Sequence, residues 1–249
     1  MNTRQWNLAA LLLWLLSCVS TPPQKRAYAY HETKHFTIYY YEDEFSLQEV
    51  RRIGEKKERF LAFINNELAL DYDGVVSAYL YLTGDEYAYA NTEEETYESR
   101  SYVMTDPGHE IVHIVTFEEL GYSQSAFLKE GIAVSYELDF ENYNAIENYV
   151  RYRRHIDSTD AAHGEWYDTQ QTISRQLGED DFDYSYFSYQ RAGAFVKYLT
   201  ITYGIDKVNT FYSSSIDNPR SLRRVDFKKI FGASIEEVEK QFITTCFPP

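Results

Sequence analysis

Two histidines four positions apart, His109 and His113, stand in a stretch otherwise dominated by Ile111, Val112, Ile114, Val115, Phe117 and Leu120. On an α-helix residues four apart share a face, so the two imidazoles can be presented to one point in space. A single metal ion at that point gives both rings a partner. Between them lies Glu110, completing the pattern H-E-x-x-H. Its carboxylate sits beside the position a metal leaves open for water, where it can accept a proton. The flanks predict a helix: Asp106 as N-cap, Pro107 at the first helical position, and the apolar residues as its buried surface.

Two imidazoles do not make a metal site, and a third ligand has to come from elsewhere. Sixteen residues separate His113 from Glu130, which lies in a second helical pattern, Ser125 to Glu137, with Ser125 as its cap. Gly121-Tyr122 provides the break that lets this helix fold back beside the first. An antiparallel return of that length brings Glu130 against both histidines. The expected result is a His₂Glu zinc site with water in the fourth position. Glu130 lies between Leu128 and Ile132 and precedes Gly131, a setting of close helix packing rather than of a solvated face. Glu118 and Glu119 follow too soon on the same helix to bend back, and His155 and His163 lie in a polar stretch without a motif.

The remaining elements place this pair. His35 to Tyr41 is rich in aromatic and β-branched residues and reads as a strand, with His31 and His35 as surface residues. A helical period opens at Ser46 or Phe45 and runs to about Leu68 through Val50, Ile53, Phe60, Leu61 and Ile64. Val75 to Leu82 is a second strand, residues 85–97 with Glu93-Glu94-Glu95 a solvated loop, and Ser101 to Met104 a short strand entering the metal helix. Tyr186 to Tyr203 reads as a helix facing the core through Ala192, Phe195, Val196 and Leu199. The expected fold is α+β: a small N-terminal mixed sheet with a packed helix in residues 28–120, a mainly helical part in 121–249, and the H-E-x-x-H helix between them.

Residues 1–18 read as a targeting segment, with Arg4 before an apolar run from Leu8 to Leu16 that is too short to span a bilayer. The run ends Leu15-Leu16-Ser17-Cys18, which resembles the bacterial lipobox. That resemblance implies a lipid-modified Cys18 as first mature residue, a tether over 19–27, and a cell-envelope location; Val19 after the cysteine favours the outer membrane. Cys246 then has no intrachain partner, which excludes a disulfide framework and a thiolate metal site. A net charge of −15 excludes nucleic acid as partner, since no basic stripe faces the phosphates. The 24 tyrosines are expected mainly at core edges and half-buried sheet positions.

His109-Glu110-x-x-His113 followed by Glu130-Gly131-x-Ala133 resembles the gluzincin metallopeptidases, in particular the peptidase MA-like group related to thermolysin and the aminopeptidases. The strand His35-Phe36-Thr37-Ile38-Tyr39, the helix from Ser188 to Leu199, Tyr203-Gly204, and Phe227 to Gly232 with the capping box Ser234-x-x-Glu237 extend the likeness over most of the chain. A metzincin continuation would need glycine at 116 and histidine at 119, where this chain has Thr116 and Glu119. The resemblance implies a zinc peptidase acting on a peptide or protein, with His109, His113 and Glu130 on the metal and Glu110 as general base. It also implies that Tyr189, with Tyr186 as substitute, hydrogen-bonds the developing oxyanion. No G-x-M-E-N anchor for a substrate N-terminus occurs, so endo-cleavage is expected. The alternative is a zinc-containing envelope lipoprotein without turnover, acting as an interaction module.

Overall fold

The computed structural model describes residues 27–81, 87–91, 94–100, 108–123, 125–159, 172–179, 181–214 and 220–248. Its N-terminal part is a five-stranded mixed sheet: β1 (Ala29–Glu32), β2 (Phe36–Tyr40), β3 (Val76–Tyr81), β4 (Tyr87–Asn91) and β5 (Thr96–Arg100), in the order β1-β2-β3-β5-β4. The three central strands are parallel and each edge strand is antiparallel to its neighbour. Helix α1 (Leu47–Leu68) links the parallel pair β2 and β3. Ser46 opens it with a capping box, its hydroxyl accepting from Glu49 N–H while the Glu49 carboxylate accepts from Ser46 N–H at 2.8 Å.

Period-two alternation sorts the sheet into two faces. Phe36, Ile38, Tyr40, Val76, Ala78 and Leu80 are buried, as is the α1 stripe Val50, Ile53, Phe60, Leu61, Ile64 and Leu68. On the other face, Tyr28, Tyr39, Tyr41, Tyr79 and Tyr81 stand partly exposed and stack on one another, Tyr39 on Tyr79 at 4.7 Å and Tyr28 on Tyr41 at 4.6 Å. This accounts for part of the tyrosine excess: the rings cover the sheet while their hydroxyls reach water.

The segment 85–97, expected as a solvated loop, instead contributes β4 and the start of β5. Tyr87-Ala88-Tyr89-Ala90 alternates with period two, and Ala90 pairs with Tyr97 across the hairpin. The acidic run falls in the connection between the strands, so its charge marks the turn and not the whole segment. β1 was not expected at all. The strand read at Ser101 to Met104 lies outside the described residues.

Nine helices are found among the described residues. After α1 come α2 (His109–Leu120), α3 (Ala126–Phe140), α4 (Ala145–Thr159), α5 (Ile173–Glu179) and α6 (Tyr186–Tyr203), followed by α7 (Ile205–Ser214), α8 (Arg220–Phe231) and α9 (Ile235–Cys246). The architecture is therefore α+β, mostly helical, with its mixed sheet at the N-terminal end. Helix α2 does not begin on an Asp106 cap: Gly108 occupies the N-cap without a side-chain bond, and Asp106 and Pro107 lie outside the described residues. Gly108 has φ of +132°, and a Cβ there would meet the Phe60 ring at 2.5 Å. A glycine is what lets the chain enter α2 beneath α1.

Helix α6 is the centre of the helical part, with Ala192, Ala194, Phe195, Val196 and Leu199 fully buried. It crosses α3 closely. A Cβ on Gly131 of α3 would come within 2.8 Å of the Ala192 carbonyl, and one on Gly193 of α6 within 2.7 Å of Val134. In an ordinary helix interior Gly→Ala stabilises by about 1 kcal/mol. At this crossing the added methyl has backbone in its way, and overpacking of this kind costs about 1–3 kcal/mol. Gly131→Ala is therefore expected to lower stability by up to about 2 kcal/mol, read as a reduced denaturant midpoint; a raised midpoint would contradict so close a crossing.

Candidate metal site

Three elements converge at the site. Helix α2 supplies His109 and His113 one turn apart, with rings 4.9 Å between centroids. Helix α3 is fixed at its start by the Ser125 hydroxyl accepting from Leu128 N–H, and presents Glu130. One carboxylate oxygen of Glu130 lies 3.2 Å from His109 Nε2 and 3.4 Å from His113 Nε2. One ligand atom from each of the three residues falls within 4.8 Å of the other two, an arrangement that could hold a metal ion. His109 touches Glu137 as well as Glu130, whereas His113 touches Glu130, so α2 and α3 run in opposite senses.

Glu137 is the residue that sequence reasoning missed. Its carboxylate lies 3.1 Å from His109 Nδ1, the ring nitrogen turned away from the shared oxygen of Glu130. A carboxylate on the outer nitrogen holds an imidazole in one tautomer and orientation, and makes the inner nitrogen a better ligand. The available signal was spacing: Glu137 follows Glu130 by seven residues, two turns along the same helix face.

The site is strongly anionic. Burial alone would raise the Glu130 carboxyl, but hydrogen bonds and charge from His109 and His113 reverse this and hold it well below the usual carboxylate range. Burial disfavours the charged form of His109, yet its bonds to Glu130 and Glu137 and the charges of Glu110 and Glu137 raise it well above an ordinary histidine. Glu110 itself is only 8% exposed. Its charge acts on both His109 and Tyr189.

Tyr189 reaches the site from α6, its ring 6.4 Å from that of His109. Burial and the charges of Glu130, Tyr184 and Glu110 push its phenol well above the usual value, so it stays a hydrogen-bond donor at neutral pH. Tyr186, the expected substitute, is 60% exposed and packs edge-on against Tyr152.

Other candidate residues are elsewhere. Glu118 and Glu119 are exposed near the far end of α2, and His155 is exposed on α4. His35 departs from the expectation of a surface residue: its side chain is 14% exposed and its Nδ1 lies 2.6 Å from the Glu58 carboxylate. His31, expected at the surface too, is half-buried. Cys246 is buried, and burial pushes its thiol up to about 11. Cys18 and His163 lie outside the described residues. No known protein family matches this chain, and no curated protein matches it in sequence.

Without metal, His109 carries a proton at neutral pH, and a metal needs the neutral ring. Zn²⁺ uptake by the metal-free chain should therefore release about one proton per ion at pH 7, with affinity rising as pH rises. Calorimetric titration in two buffers of different ionisation enthalpy measures this, and equal heats in both would contradict the protonated cluster. In the same titration Glu137→Gln should weaken binding by about 10–100-fold.

Proposed function

We propose that this chain is a zinc-dependent peptidase, with His109, His113 and Glu130 as metal ligands and Glu110 as general base. The observation that carries the reading is the single Glu130 oxygen shared between two imidazole nitrogens, with a nearly buried carboxylate, Glu110, beside them. The distances suit the ion. Donors held about 2.0–2.1 Å from a tetrahedral zinc lie about 3.3–3.4 Å apart, and the carboxylate oxygen stands 3.2 and 3.4 Å from the two nitrogens. All donors are nitrogen or oxygen, three in number, as in catalytic rather than structural zinc sites. The resemblance of His109-Glu110-x-x-His113 and Glu130-Gly131-x-Ala133 to the gluzincins supports the same reading.

The ion, when bound, supplies Lewis-acid polarisation of the scissile carbonyl and acidifies water at its open position. The chain's own groups do the rest. Glu110 accepts the proton of the attacking water on its carboxylate and passes it to the leaving amide nitrogen. Tyr189 donates its phenolic hydrogen to the carbonyl oxygen as negative charge gathers there. Glu137 keeps His109 in the tautomer with Nδ1–H outward, so that Nε2 would be free to hold the ion.

Glu110→Gln keeps the shape of the side chain and every ligand, but removes the base. The zinc-loaded variant should retain about one metal per chain and lose hydrolysis by about 10²–10⁴-fold. Metal analysis beside a peptide-library digest reads both. Equal turnover in variant and parent would sink the assignment of Glu110, and a parent without hydrolysis would favour the non-catalytic lipoprotein. Internal rather than terminal cleavage is part of the proposal and is read from the same digest.

The proposal extends to place: a lipid anchor through Cys18 in a bacterial envelope, at the outer membrane, with the domain after residue 27 in the aqueous phase. What supports it is the run Leu15-Leu16-Ser17-Cys18. Among the described residues no helix is long and apolar enough to cross a membrane. A radiolabelled fatty acid fed to expressing bacteria should label the chain and not the Cys18→Ser variant; label in both would rule out this anchor.

A further inference from the structure

The peptidase reading leaves open what the site prefers to cut. Just before α6 the chain passes Phe182, Asp183 and Tyr184, and these side chains continue the surface that begins at Tyr189. Phe182 is 9% exposed and packs edge-on against the buried Phe127 at 6.1 Å. Tyr189 lies edge-on to Phe182 at 5.5 Å, and Tyr184 lies 5.0 Å from Phe182 and 6.4 Å from Tyr189. The three rings form one wall that is rooted in the core, borders His109 through Tyr189, and ends in solvent at Tyr184.

Tyr184 is the informative member. Its backbone is left-handed, with φ of 51°, a conformation that a residue with a Cβ adopts at a cost. Its ring is 61% exposed, so burial does not repay that cost. The turn is held by Asp183, whose carboxylate accepts from Ser185 N–H at 3.0 Å and Ser185 O–H at 2.8 Å. The turn therefore presents the ring to water against Phe182 and Tyr189, an aromatic surface in an otherwise carboxylate-rich setting. Two ring contacts separate it from His109, and an extended peptide advances about 3.3–3.6 Å per residue. The wall therefore lies within about three or four residues of the bond at the metal.

We propose that Phe182, Tyr184 and Tyr189 form a specificity wall that takes an aromatic side chain of the substrate peptide, with Tyr184 as its solvent-side face. This rests on the peptidase reading. Ring-on-ring packing favours an aromatic residue over a small one. An acidic residue is disfavoured by the chain's net charge of −15.

The test uses blocked alanine hexapeptides with one phenylalanine walked through each position, offered to the zinc-loaded parent, Tyr184→Ala and Tyr184→Phe. The parent should prefer phenylalanine at one position by about tenfold or more in kcat/KM. Tyr184→Ala should lose about tenfold there, chiefly through KM, with the all-alanine peptide cut as before, and Tyr184→Phe should behave as the parent. If the parent cuts and the Tyr184→Ala profile is unchanged, the wall is overturned and the peptidase stands. If the parent cuts nothing, the peptidase reading fails, and binding of the same peptides decides the wall by itself. Phenylalanine-selective binding to Glu110→Gln that disappears in Glu110→Gln/Tyr184→Ala supports it, and equal binding to both overturns it.

Discussion

Much of this molecule depends on how closely α3 and α6 approach. Gly131 and Gly193 face each other's helices, and a methyl on either would strike backbone or a branched side chain. Each glycine is next to a residue of the candidate site: Gly131 follows Glu130, and Gly193 lies one turn beyond Tyr189. The crossing therefore fixes the depth at which the carboxylate and the phenol enter the site from opposite helices. Interiors packed at this density do not deform continuously, so the spacing between the two groups is set by the fold and not by their own torsions.

Helix α2 meets a different constraint. It is nearly apolar all round, with Ile111, Val112, Ile114 and Val115 fully buried, as suits a helix in the middle of a domain. Such a helix can carry two imidazoles only if their nitrogens are satisfied, and α3 does this with carboxylates spaced by two turns. Glu130 bridges the inner nitrogens and Glu137 takes the outer nitrogen of His109. Helix pitch thus matches the two carboxylates of α3 to the histidines of α2.

The legible parts of the chain were those in which one local pattern dominated. Tyr186–Tyr203 was read to its ends from the apolar face of Ala192, Phe195, Val196 and Leu199, and α1 from the helical period of Val50, Ile53, Phe60, Leu61 and Ile64. Glu130 could be found because a metal needs a third ligand. Glu137 was missed, because its seven-residue spacing from Glu130 marks a shared helix face and not a contact with His109. The β4–β5 hairpin was hidden by Glu93 to Glu95, whose charge masked the alternation in Tyr87 to Ala90. Gly108 was passed over for Asp106 because the clash with Phe60, 48 residues away in sequence, is a tertiary fact.

Helix α9 has a consequence for the order in which this chain becomes a protein. Phe242 packs against Phe195 at 5.4 Å, Tyr198 at 5.5 Å and Tyr149 at 5.8 Å, while Glu239 accepts from the Ile173 and Ser174 N–H groups that open α5. The outer side of α6 is thus covered by an element far from it along the chain. Contacts between distant parts of a sequence are the slow ones to form, because the intervening chain must be ordered first. The packing that sets Tyr189 of α6 against α3 is therefore completed only when α9 docks, although α3 and α6 are each local structures.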